Sequence, residues 1–226
     1  MTAWLLLPSP LLGAASWQPV ADLLRDAGDA VAVATAGGAT RPADVLTAYV
    51  AAARDLEAPV VVAHSNAGLF APAVADAAAA PVTGYVDAAL AASTGPTPLA
   101  PPAFLAFLAG LADDDGLLPP WSRWWGDVDP FPHDATRARV ETEQPRLPLA
   151  YFHATLETPA GWESRPQAYL AFGDTYADET ARARALGWKV RRLDVRDRGG
   201  HLFLLHDPAA TATALRELVS SAATTG

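Results

Sequence analysis

Residues 60–68 read V-V-V-A-H-S-N-A-G, a β-branched apolar run that breaks on a serine flanked by small residues. Such a run, bounded by a polar turn, describes a buried strand of a parallel sheet. Asn66 to about Ala80 then reads as a helix. A strand passing through a sharp serine turn into a helix has the form of a nucleophile elbow, and the small residues Ala63 and Ala67 suit the close packing that a strained turn needs. The plainer reading is a serine that simply ends a buried strand. Alanine stands at both flanks where that motif carries glycine, and Gly68 follows one place later.

Working outward, apolar runs alternate with helical segments. Trp4–Leu7 is a strand; Ser16 is placed to cap a helix running to about Ala27, with Pro19 in its first turn and Gly28 as its stop. Asp29–Thr35 is a strand, Thr40 and Pro42 open a helix through about Leu56, and Pro59–Ala63 and Val82–Asp87 are further strands. Later, Gln167–Phe172 and Trp188–Asp194 are strands around a helix over Ala177–Leu186, and Asp207-Pro208 starts a closing helix to about Ser220. This alternation defines an α/β fold: a mostly parallel sheet with helices on both faces, its sites at the carboxyl ends of the strands. Residues 91–165 break the rhythm. They are rich in proline and aromatics, including P-P-W-S-R-W-W-G at 119–126, too long for an ordinary loop and too apolar for a linker. A single domain over 1–226 is expected, with a core of 1–90 and 166–226 and a lid inserted over about 91–165.

Composition narrows the function. A formal charge of −9 and a pI near 4.9 argue against nucleic acid or anionic membrane as partners. With no cysteine there is no disulfide framework, thiol nucleophile or Cys-ligated zinc, which fits a cytoplasmic protein. The opening M-T-A-W-L-L-L-P-S-P lacks a basic region and stops at Pro8, so it reads as a core strand and not a secretory signal. T-A-G-G-A-T at 35–40 lacks the lysine of a phosphate loop, and His133-Asp134 and His206-Asp207 lack a third ligand at zinc spacing, so neither cofactor nor metal is expected. His64 reads as structural or pocket-lining, and the frayed end is placed at the tail S-S-A-A-T-T-G.

A serine hydroxyl needs a base before it attacks anything. R-G-G-H-L-F-L-L at 198–205 supplies His201 on a glycine-flanked loop after the last strand. P-S-P-L-L-G-A-A-S-W-Q-P-V-A at 8–21, A-H-S-N-A-G at 63–68, Y-V-D-A-A-L at 85–90 and G-G-H-L at 199–202 together resemble the α/β-hydrolase superfamily over nearly the whole chain. The chain would start at that fold's third strand, without the usual first pair. More narrowly, it is similar to small Ala-rich actinobacterial members with a P-P-W-S-R-W-W-G lid segment. The resemblance implies Ser65 as nucleophile, His201 as base, and an acid that is either Asp87 or Asp174. Asp174 ends the commoner strand for it. Asp87 is preferred, because Y-V-D-A-A-L resembles the acid-bearing strand of thioesterase domains that unload carrier proteins; Asp174 is then left as a helix cap.

The oxyanion donors implied are the amide of Asn66 and that of Leu11 or Leu12, since Pro8 and Pro10 have no N–H to offer. Trp121, Trp124 and Trp125 are candidates to line an apolar acyl pocket. The activity implied is acyl transfer through an acyl-serine, from an ester or thioester with an apolar or aromatic acyl group. Water as acceptor makes it a hydrolase; another acceptor makes it an acyltransferase drawing on a small-molecule or carrier-protein-bound acyl donor. Arg137, Arg139 and Arg146 would form the basic patch for a carrier. The alternative is a non-catalytic relative that binds a small apolar ligand.

Overall fold

The computed structural model describes residues 1–126, 128–195 and 200–224. Its centre is a six-stranded parallel sheet built from β1 (Ala3–Leu7), β2 (Ala30–Val33), β3 (Val60–Ser65), β4 (Thr83–Ala88), β7 (Gln167–Phe172) and β8 (Lys189–Leu193). The order across the sheet is β2-β1-β3-β4-β7-β8. β3, β4 and β7 are buried along their whole length, as strands covered on both faces must be. β8 reads K-V-R-R-L and sits at an edge, where its charges reach water.

Helices α1 (Gln18–Asp26), α2 (Pro42–Ala51), α3 (Ala71–Ala77), α7 (Ala177–Ala185) and α9 (Pro208–Ala223) cover the sheet. From β1 the chain steps out to β2, then returns past β1 to β3. With right-handed crossovers this puts α1 on one face and α2, α3 and α7 on the other. α9 joins α1, packing on it and on β7. The reversal opens a crevice at the carboxyl ends of β1 and β3, where ligands of such sheets bind.

Segment 91–165 carries α4 (Pro102–Leu111), α5 (Asp134–Glu143), α6 (Leu149–Phe152) and a short antiparallel pair, β5 (Thr97–Pro98) with β6 (Thr155–Leu156). α5 is polar over most of its surface, and only Val140 of it is buried. The Glu143 carboxylate at its end accepts the Ala15 amide at 2.8 Å, tying the insertion to the loop after β1.

Four local expectations need correction. Ser16 does not cap α1; its buried hydroxyl donates to the Gly13 carbonyl at 2.7 Å within a 3-10 turn, and the helix begins at Gln18. α2 starts at Pro42 after Arg41, without a cap from Thr40, and ends at Ala51 and not Leu56. The helix expected over 66–80 is a 3-10 turn, Asn66–Leu69, followed by α3, because Pro72 fits only in a first helical turn. Asp174 caps nothing with its side chain. Asp207 does cap α9, accepting the Ala210 amide at 2.9 Å. Gly199, in the G-G-H-L motif, and Thr225 and Gly226 of the tail lie outside the described residues. No described helix is long and apolar enough to cross a membrane.

Candidate active site

Ser65 closes β3 with φ +59° and ψ −133°, a backbone conformation that an L-residue holds only when its surroundings enforce it. Here the enforcement is packing. Ala63 and Ala67 are fully buried, and a Cβ built on Gly68 would stand 2.0 Å from the Ala89 carbonyl oxygen. The close approach that glycine flanks usually permit has moved one place along, to Gly68. The Ser65 carbonyl in turn accepts the Ala89 amide at 3.1 Å, fastening the turn to β4.

The pairing of β3 with β4 slips at this point. His64 stands opposite Val86 and Ser65 opposite Ala88, so Asp87 is the extra residue of a bulge, with φ +42°. The bulge aims its side chain across the carboxyl end of the sheet. Its Oδ1 accepts the Phe172 amide at 2.9 Å, and its Oδ2 lies 2.7 Å from Nδ1 of His201. Tyr169 secures the strand just beyond, its hydroxyl donating to the Ala88 carbonyl at 2.7 Å. Asp174 is elsewhere: it pairs with Arg192 at 3.0 Å and its side chain is 80% exposed. Of the two acid candidates, only Asp87 reaches His201.

His201 sits in a 3-10 turn, Gly200–Leu202, that leads into α8 (Phe203–His206). His64, the residue before the serine, packs beneath it. The two imidazoles stack with centroids 4.5 Å apart, and His64 Nε2 donates to the His201 carbonyl at 3.0 Å. His64 is fully buried with Nδ1 unpartnered among the described residues. Burial, and then the nearby His201, hold its pKa well below the ordinary histidine value, so it stays neutral.

A cavity of about 580 Å³ opens over this edge, lined by Ser65, Asn66 and His201 on its floor and by Leu11, Trp121, Trp124 and Trp125 among its walls. Trp121 and Trp124 are buried, whereas Trp125 is 41% exposed. The Asn66 amide, first in its 3-10 turn, has no helical acceptor by position, and Asn66 lines the cavity beside Ser65. Leu11 lines the cavity, and the acceptor for its amide is the Ser9 hydroxyl, distant at 3.4 Å. Leu12 is a correction. Its amide is spent on the Ser9 carbonyl at 2.9 Å, which leaves it no donor to offer an oxyanion. Tyr49 and Trp17 brace this loop by donating to the carbonyls of Pro8 and Leu7.

The sequence reading missed Tyr176 and Glu179. Tyr176 follows β7 at the same sheet edge, with its hydroxyl 3.4 Å from Ser65 Oγ and its ring against that of His201, centroids 5.5 Å apart. Its only sequence signal was position, at the carboxyl end of a strand. The described residues contain no cluster of three or more His, Cys, Asp or Glu able to hold a metal. Of the arginines expected as a basic patch, Arg137 pairs with Asp129 and Arg146 with Asp113.

The chain belongs to the alpha/beta hydrolase family, whose model matches residues 4–214. Its fold is shared with an extracellular α/β-hydrolase from a Paenibacillus species (17% identity, TM-score 0.75, covering 96% of this chain and 99% of that one). It is also shared with a tomato methylketone synthase I variant in complex with β-ketoheptanoate (12%, 0.77, 98% and 98%). A methylesterase from Arabidopsis is a third such structure (15%, 0.69, 97% and 99%). No curated protein matches the chain by sequence.

Proposed function

We propose that the protein is a serine esterase that forms an acyl-Ser65 intermediate from a small-molecule ester or thioester with an apolar or aromatic acyl group. The observation that carries this reading is the 2.7 Å Asp87–His201 hydrogen bond, which holds the imidazole in the lining of the cavity that also holds the strained Ser65. Asp87 keeps the proton on Nδ1 of His201, leaving Nε2 bare to take the serine proton. Ser65 Oγ then bonds to the acyl carbon, and the carbonyl oxygen becomes an oxyanion held by the amides of Asn66 and Leu11. As the C–O or C–S bond breaks, His201 passes its proton to the leaving group. Water, deprotonated by His201, reverses the sequence to release the acid and free Ser65.

The indoles of Trp124 and Trp125 offer the acyl group an apolar wall, while Trp121 stands nearer the His201 ring, centroids 6.1 Å apart. Hydrolytic activity is in keeping with the fold's presence in a methylesterase and in a Paenibacillus hydrolase. A free small-molecule donor is preferred over a carrier-bound one because Arg137 and Arg146 are already neutralised by the chain's own carboxylates. A second reading, a non-catalytic binder of a small apolar ligand, draws on the thin oxyanion hole left once Leu12 is spent and Pro10 is counted out.

The test is hydrolysis of p-nitrophenyl esters graded from acetyl to octanoyl and benzoyl. The esterase reading expects turnover that rises with acyl size and is lost in both Ser65→Ala and His201→Ala. Turnover that survives in Ser65→Ala overturns the acyl-Ser65 mechanism, and none by a folded wild type supports the binder instead.

A further inference from the structure

One charged group in the cavity has no part in the acyl chemistry. Glu179 lines the same cavity as Ser65 and His201, and no described lining residue is Lys or Arg. It stands in the first turn of α7, three residues beyond the N-cap Tyr176, and both residues line the cavity. Tyr176 marks the His201 side of the site, since its ring packs on the His201 ring and its hydroxyl approaches Ser65 Oγ. No described side chain hydrogen-bonds or ion-pairs with the Glu179 carboxylate. Arg182, one turn on, is engaged by Glu163 and Ser93.

Helix electrostatics alone do not account for Glu179, because exposed Asp178 already supplies a carboxylate to the same turn. Partial burial raises the Glu179 pKa, and Asp178 and Asp87 add to the rise; its own backbone amide and the more distant Arg182 oppose it without reversing it. A partly buried carboxylate is costly and gains most from a cation placed beside it. Two aromatic rings line the same cavity, Trp121 and Tyr176, with centroids 6.1 Å and 5.5 Å from that of His201, and such rings attract cations. The chain's formal charge of −9 also draws cations toward it.

We infer that Glu179, with Trp121 and Tyr176, recognises an ammonium group on the leaving-group half of the substrate. The assignment to that half rests on the esterase reading above, because His201 must protonate the leaving group and so must lie beside it. An ester of an amino alcohol is the substrate class this describes.

Two measurements test it. Wild type and Glu179→Gln are compared on butyrylcholine and on 3,3-dimethylbutyl butyrate, its neutral carbon isostere. The expected wild type favours the choline ester by about tenfold or more in kcat/KM, and Glu179→Gln removes most of that ratio. An unchanged ratio, or no preference in the wild type, overturns the inference. Separately, choline binding is followed by tryptophan fluorescence in Ser65→Ala with and without Glu179→Gln. Binding that weakens about fivefold or more with the second substitution supports the cation site even if no ester is turned over. Equal binding, or none, removes the site while leaving the serine reading to its own test.

Discussion

Replacing Asp87 by asparagine changes one atom's chemistry and almost nothing of its shape. Oδ1 accepts the Phe172 amide at 2.9 Å, and an asparagine keeps that bond with its own carbonyl oxygen. Its NH₂ group then occupies the place of Oδ2, 2.7 Å from His201 Nδ1. A donor there requires Nδ1 to accept, which moves the ring proton to Nε2, the nitrogen that must be bare to take the proton of Ser65. The wrong tautomer, and the loss of a carboxylate to stabilise the imidazolium, is worth a drop in kcat of about 10⁴, or about 5.5 kcal/mol in the barrier. Asp174→Asn is the paired control. Its side chain is 80% exposed and, among the described residues, pairs with surface Arg192, so activity should hold within about twofold. Initial rates on the best p-nitrophenyl ester, read beside thermal melts, separate catalysis from folding. A loss under tenfold in a well-folded Asp87→Asn, or a large loss in Asp174→Asn, refutes the role given to the β4 bulge.

Gly68→Ala places a methyl 2.0 Å from the Ala89 carbonyl and should cost about 3 kcal/mol or more, whereas Gly110→Ala in α4 meets nothing within 4 Å and should be neutral or slightly stabilising. Urea melts of both decide it, and equal effects would mean that the elbow is not held by that contact. His64 is neutral in the fold but binds a proton in the unfolded chain below about pH 6.5, so its contribution to stability is present above that pH and lost as pH falls. Urea titrations at pH 7.5 and 5.5 should show His64→Asn losing less stability over this interval than wild type, by up to about 1.4 kcal/mol; parallel losses would contradict the buried neutral state. Trp125→Ala, at a half-exposed position, should change the melting temperature little yet lower kcat/KM for benzoyl and octanoyl esters relative to acetyl. An unchanged acyl profile would take Trp125 out of the pocket wall.

Much of this architecture can be read in the sequence because parallel strands buried on both faces must be apolar throughout. β7 falls on the expected residues, and β3 and β4 lie within two residues of theirs. Ser65 and His201 are legible for a related reason: each follows a strand at the edge where such sheets place their chemistry. What the sequence does not carry is register. Asp87 turns toward His201 only because the β3–β4 ladder slips by one residue, and no residue pattern within β4 announces a slip that depends on its neighbour. The stacking of His64 on His201 and the approach of Tyr176 to Ser65 join residues more than a hundred positions apart and leave no local trace. The Leu12 amide looked available as a donor because a turn that consumes it with Ser9 has no mark beyond its prolines.

The central claim is that Ser65 is an activated nucleophile. Intact-protein mass spectrometry after an uncharged fluorophosphonate addresses it directly, using wild type, Ser65→Ala and His201→Ala. The account predicts one adduct on the wild type, absent from Ser65→Ala and slowed at least a hundredfold, as an order of magnitude, in His201→Ala. A folded wild type that takes no adduct from this probe or from a smaller activated ester, or one that labels as fast without His201, would contradict it.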